Sequence, residues 1–332
     1  MMKQRNGTID FMRFVFAIGI VLGHAEVIYD IVPNGWIGVE FFFLVTGWLM
    51  ASKAARTDDK LSFSLVKRFI KRKILAFYPE AIIALLLGGM TYVLFFPQNI
   101  IMQVKFMCHV MLDALMLQII IAHASLPGGV MWYLSAMIFG AAVIFPLLIK
   151  YPHKYLKYFF FISISLYIFI GAMYGTISRV WEPIYGQFGH IGLLRGIADM
   201  MLGCVAYKMS FFLRDMKQNV NLNASILGWI EIVSYMLVIL LSMTHLLQSL
   251  WDYVALIFLF IAVVISFSEK SSIYGIFQHN WVRFLGGYSL NIYLVHITLS
   301  VIAISLKDYF QSQRVCQEFC VNRFNKQHRI AA

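Results

Sequence analysis

Apolar residues come in runs of about twenty, broken by short polar stretches, along almost all of this chain. Runs long enough to cross a ~30 Å hydrocarbon layer as helices occur near 9–28, 36–53, 74–96, 130–149, 157–174, 190–209, 225–244, 250–268 and 285–305. A tenth run, 104–122, is the weakest, because His109, Asp113 and Gln118 interrupt it. The pattern predicts an all-α fold, a polytopic transmembrane helix bundle of about nine or ten spans. Residues 1–305 read as a single membrane domain, and 306–332 as a polar, basic tail expected to be poorly ordered. Arg13, His24 and Glu26 interrupt the first run and no small-residue cleavage site follows, so it reads as a span and not as a cleavable signal.

Charge placement orients the spans. Lys and Arg gather before the first span (Lys3, Arg5), densely between the second and third (Lys53 to Lys73), and again at Lys150–Lys157, Lys208–Lys217 and Lys270–Arg283. All of these loops fall on the cytoplasmic side if the N-terminus is cytoplasmic and 104–122 does not fully cross. Loops 29–35 and 245–249 then face out, and they carry no Lys or Arg. If 104–122 crossed, three basic loops would lie outside, so a re-entrant or half-length element is expected there. The one clash is the tail, placed outside although it holds Lys307, Arg314, Arg323, Lys326 and Arg329.

Composition narrows the class. The 332 residues are 61% hydrophobic and 13% charged, well below the ~25% charge of soluble domains, with a mean hydropathy of +0.76. The net charge of +11 follows membrane topology and anionic lipid headgroups, not nucleic-acid affinity. Four cysteines make no disulfide framework, and Cys316 and Cys320 lack further ligands at zinc spacing, so no metal site is expected. No GxSxG elbow, P-loop, HExxH or dinucleotide fingerprint is present. His109 and Asp113 form HxxxD, one residue short of the spacing used by soluble glycerol-phosphate-type acyltransferases.

The chemistry then falls on ionisable groups inside the spans. Arg13 and His24 are eleven residues apart in the first span. At about 100° and ~1.5 Å per residue they share one helix face, roughly 16 Å apart along the axis. Charge at such depth is costly and by default marks a pathway or reaction site, the bland alternative being an arginine that snorkels to the headgroups. Asp10 is close enough to pair with Arg13, whose guanidinium suits a phosphate-bearing ligand arriving from the cytoplasm. His24, in the outer half, is a candidate general base for an acceptor hydroxyl. Glu40, at similar depth in the second span, either orients His24, binds a sugar hydroxyl, or stands in interfacial water. The basic run 67–73, with Arg68, Arg72 and Lys73, binds either lipid headgroups or the phosphates of a nucleotide-bearing donor. Arg195 and Asp199, spaced i, i+4, are expected to neutralise each other. Asn291, Tyr293 and His296 polarise the last span, each read as a structural hydrogen-bonding group.

These pieces together resemble the acyltransferase type 3 family, multispan enzymes that O-acylate sugars of cell-surface polysaccharides. Arg13-x10-His24 matches the family's opening signature, and Gly38-Val39-Glu40-Phe41-Phe42-Phe43-Leu44-Val45-Thr46-Gly47 is similar to its Gly-Val-x-Phe-Phe-x-x-Ser-Gly element. Trp132-Tyr133-Leu134-Ser135, Gly203-Cys204-Val205-Ala206-Tyr207 and the segment from Gly287 to His296 resemble further blocks, in the same order, over residues 5 to about 305. The resemblance implies no bound cofactor, acetyl-CoA or another acyl-CoA as cytoplasmic donor, and a glycan or lipid-linked sugar as acceptor. It places the protein in the bacterial plasma membrane, with His24 and Arg13 as functional residues. The chain departs from the family at three places. Lys73, Ala76 and Pro79 stand where Arg-x-x-Arg-x-x-Pro is common, so donor contacts fall to Arg68, Arg72 or Lys73. Met137 stands where many members carry Glu, and the polar tail stands where a further helix is common. A proton-coupled transporter or flippase using the same buried charges, or an inactive truncated member, remain the alternatives.

Overall fold

The computed structural model describes residues 5–24, 33–95, 100–121, 130–185, 188–215 and 223–328, those from 306 onward as backbone only. Its helices are α1 (Gly7–His24), α2 (Ile37–Ala54), α3 (Phe63–Leu75), α4 (Tyr78–Phe95), α5 (Ile100–Ala114), α6 (Gln118–Ile121), α7 (Met131–Lys150), α8 (Tyr155–Tyr174), α9 (Ile191–Asp215), α10 (Ala224–Ser242), α11 (Trp251–Ser268) and α12 (Asn280–His328). A small antiparallel hairpin, β1 (Pro183–Tyr185) with β2 (Phe188–His190), precedes α9. Among the described residues eight helices are long and apolar enough to cross a membrane, and nine if the bent pair of α3 and α4 counts as one. This is the polytopic helical bundle that the hydropathy pattern predicts.

Local sequence explains the breaks. Ser62 caps α3 by accepting from the backbone N–H of Leu65 at 3.2 Å. Pro79 cannot donate to a preceding turn, so the chain stops at Leu75 and restarts at Tyr78, bent by 47°. The basic run 67–73 therefore lies on its own helix, before the span and not within it. Gly175 ends α8 at φ +72°, a left-handed conformation that costs glycine nothing. The weak run 104–122 resolves into α5, whose 15 residues rise only about 22 Å, and the one-turn α6, separated by a turn at Met116. α12 carries the helix on into 306–328, where the sequence marks a separate polar tail.

The centre of the bundle is the crossing of α2 and α9. A Cβ on Gly47 would stand 2.0 Å from the carbonyl oxygen of Met200, and one on Gly203 would stand 2.1 Å from that of Leu44. The backbones touch there because neither helix has a side chain in the way. Gly203→Ala is expected to force the two helices apart, costing at least the ~1–3 kcal/mol of an overpacked core. Thermal unfolding of the detergent-solubilised protein should move down accordingly, and an unchanged transition would refute the close crossing. On another side of the bundle α1 runs beside α12 in the same direction: Asp10 lies against Gly286 and, toward the other end, His24 lies against His296.

Candidate active site

Arg13 and His24 are carried by one unbroken helix, α1, Arg13 near its middle and His24 as its last residue. The Arg13 side chain is 29% exposed and lies 3.6 Å from Asp10 Oδ1, a carboxylate that Arg5 approaches more closely, at 2.6 Å. With one oxygen of Asp10 shared between two guanidiniums, Arg13 retains donors for another anion. It lines a cavity of about 330 Å³ with Lys73, Thr46, Tyr133, Ser289 and Tyr293. It also borders a second cavity of about 470 Å³, whose walls include Arg5, Asp10, Trp48 and Arg56. Arg68 and Arg72 line a third, with Lys53 and Arg56. The structure thus brings Arg13 and Lys73 together across 60 residues of sequence; Arg68 and Arg72 line a separate basic pocket that shares Arg56 with the second cavity, which Arg13 also borders.

His24, the last residue of α1, is exposed. Its Nδ1 lies 2.9 Å from the carbonyl oxygen of Ile20. A carbonyl only accepts, so Nδ1 is the protonated nitrogen of the neutral ring and Nε2 carries the lone pair. His24 does not line the Arg13 cavity. The link is made by α12: the His24 ring meets His296 edge-on at 4.8 Å between centroids, His296 meets Tyr293 at 5.7 Å, and Tyr293 meets Tyr133 at 5.5 Å on the cavity wall. Glu26 lies outside the described residues.

Two sequence-based expectations are corrected. Glu40 neither orients His24 nor stands in interfacial water. It is fully buried, and both its oxygens accept from Arg195, Nε and Nη2 each at 2.6 Å. Arg195 in turn does not pair with Asp199. Its planar fork reaches from α9 to α2, where a carboxylate offers bidentate geometry that a neighbour four residues along the same helix does not. The guanidinium also donates to the Ser178 carbonyl at 2.8 Å and lies over the rings of Trp36 and Trp132, at 5.1 and 5.6 Å. Asp199 accepts instead from the Tyr167 hydroxyl. These groups tie α2, α8, α9 and the 175–182 connection together.

Sequence reasoning read His296 as a structural hydrogen-bonding group, and its Nδ1 does lie against the Tyr293 carbonyl oxygen. Its second contact, with His24, was invisible in the sequence. The available signal was that Tyr293 and His296, three apart, share a face of α12.

The sequence model of a family described as an acyltransferase domain matches residues 6–321. No curated protein and no solved structure gives a significant match. A match over nearly the whole length, on a bundle whose first helix carries the Arg13 and His24 signature, makes this chain a member of the acyltransferase type 3 family.

Proposed function

We propose that this membrane acyltransferase moves an acetyl or other acyl group from cytoplasmic acyl-CoA to a hydroxyl of a cell-surface glycan or its lipid-linked precursor, in the bacterial plasma membrane. The observation that carries the reading is the connected arrangement along α1 and α12. A cavity bordered by two cations, Arg13 and Lys73, is walled by Tyr293, and Tyr293 leads through His296 to the exposed His24. Basic side chains at one end suit the phosphates of CoA, and the placement of Lys and Arg supports reading that end as cytoplasmic.

The chemistry follows from the tautomer. With Nδ1–H held by the Ile20 carbonyl, His24 Nε2 accepts the proton of the acceptor hydroxyl while the hydroxyl oxygen attacks the thioester carbonyl. The C–O bond forms, the C–S bond breaks, and CoA leaves with the proton on sulfur. Two tests bear on this. Surface polysaccharide from cells with and without the protein should differ by acetyl esters in mass analysis, and identical spectra would overturn the reading. Lys73→Met and the double variant Arg68→Gln, Arg72→Gln should each raise the KM for acetyl-CoA roughly tenfold. That corresponds to losing about 1.5 kcal/mol of charge-assisted hydrogen bonding. An unchanged KM would leave the basic helix α3 with a topogenic role alone.

A further inference from the structure

Three features single out His296. It is 2% exposed, its Nδ1 is committed to the Tyr293 carbonyl, and its buried Nε2 has no hydrogen-bond partner among the described residues. A buried imidazole nitrogen with no partner forfeits hydration and gains nothing in return, so it calls for a role. The adjacent ring, 4.8 Å away between centroids, is His24, whose Nδ1 is committed to a backbone carbonyl in the same way. Each histidine is therefore pinned by its own helix through Nδ1 and has only Nε2 left for exchange. One of the pair is exposed, and the other is enclosed beside Tyr293 on the cavity that holds Arg13 and Lys73.

We infer that His296 is a second imidazole of this site, a positioning and proton-accepting partner that receives through its Nε2 the proton His24 takes from the acceptor hydroxyl. The inference rests on the acyl-transfer reading and deepens it. The hydroxyl O–H bond breaks and its proton goes to His24 Nε2 as the ester C–O bond forms and the C–S bond of the thioester breaks. The proton then passes from His24 Nε2 to the lone pair of His296 Nε2, which returns His24 to its basic form. The thiolate of CoA, the only base generated in the reaction, finally takes it as the S–H of the leaving thiol. No oxidant, metal or further reactant is needed. The exposed ring would thus deal with the acceptor and the enclosed ring with the cavity side.

Two isosteres separate this role from a structural one. The amide nitrogen of Asn stands near His Nδ1 and can still donate to the Tyr293 carbonyl, whereas the amide of Gln reaches the position of Nε2. Full-length His296→Asn, His296→Gln, His24→Ala and the double variant His24→Ala, His296→Asn would be assayed in lipid nanodiscs. The donor is acetyl-CoA, the acceptor is surface glycan from cells lacking the protein, and the readout is free CoA thiol. His296→Asn is expected to keep the wild-type thermal transition and KM for acetyl-CoA while kcat falls about 10- to 100-fold. His296→Gln should not recover this loss, because an amide at the Nε2 position accepts no proton, and the double variant should be no worse than His24→Ala alone, as for groups that act as a unit. Wild-type kcat in His296→Asn, or recovery of activity in His296→Gln, would overturn the relay while an inactive His24→Ala leaves acyl transfer standing. A fully active His24→Ala would instead overturn the acyl-transfer reading itself.

Discussion

Cells carrying His24→Ala are expected to insert the protein at wild-type level and to lose the acetyl esters it adds to their surface glycan. The imidazole is exposed at the end of α1, so its removal gives up only the edge contact with His296 and the hydrogen bond to the Ile20 carbonyl. What is lost is the unprotonated Nε2, and a positioned general base contributes about 10²- to 10⁴-fold to a rate. His24→Asn sharpens the test. Its amide can still donate to the Ile20 carbonyl, which preserves the local hydrogen bond, but it offers no base at the Nε2 position. Both variants should therefore be inactive, with the same membrane abundance as the wild type. Normal acetylation in His24→Asn would show that the ring's basicity is not used.

Glu40→Leu is expected to cost about 3–5 kcal/mol of stability, because it strands a guanidinium that is 1% exposed inside the bundle. Arg195 keeps the Ser178 carbonyl and the two indole rings, but these do not neutralise its charge. The double variant Glu40→Leu, Arg195→Met removes both charges and keeps the volume, a change that elsewhere is often neutral or stabilising. Thermal transitions followed by size-exclusion chromatography in detergent should fall steeply for the single variant and return most of the way for the double. A single variant as stable as the wild type would mean that the pair is not desolvated as the geometry requires. The double variant also settles what Glu40 does. If it is folded and active, Glu40 is a structural anchor of α2; if it is folded and inactive, the Glu40–Arg195 pair enters the reaction.

The most legible features were those whose physics is local. Crossing a hydrocarbon layer demands about twenty consecutive apolar residues, so each span announced itself without knowledge of its neighbours. Helical periodicity likewise put Arg13 and His24 on one helix before any coordinates, and α1 carries both without a break. Pro79 marked where the basic run had to part from the span, although the third run was expected to start at 74 and α4 starts at Tyr78. The half-length element was readable only through a global constraint, the side on which basic loops must lie.

Partnerships were not legible. Arg195 was assigned to Asp199 because four residues on a helix is a distance that a sequence displays. Its actual partner, Glu40, is 155 positions away and was chosen by the α2–α9 crossing at Gly47 and Gly203. His296 was noted only as a polar group, because a ring contact with His24 exists only once α1 and α12 lie side by side. The sequence by itself determined the membrane bundle, its spans and the shared helix of Arg13 and His24, since these depend on composition over twenty residues and on a fixed helical pitch. Only the tertiary structure decided which charges neutralise each other, which cations share a cavity and which second imidazole meets the first. In hydrocarbon, helices associate through close packing of small residues and a few polar contacts, and neither is encoded by separation along the chain.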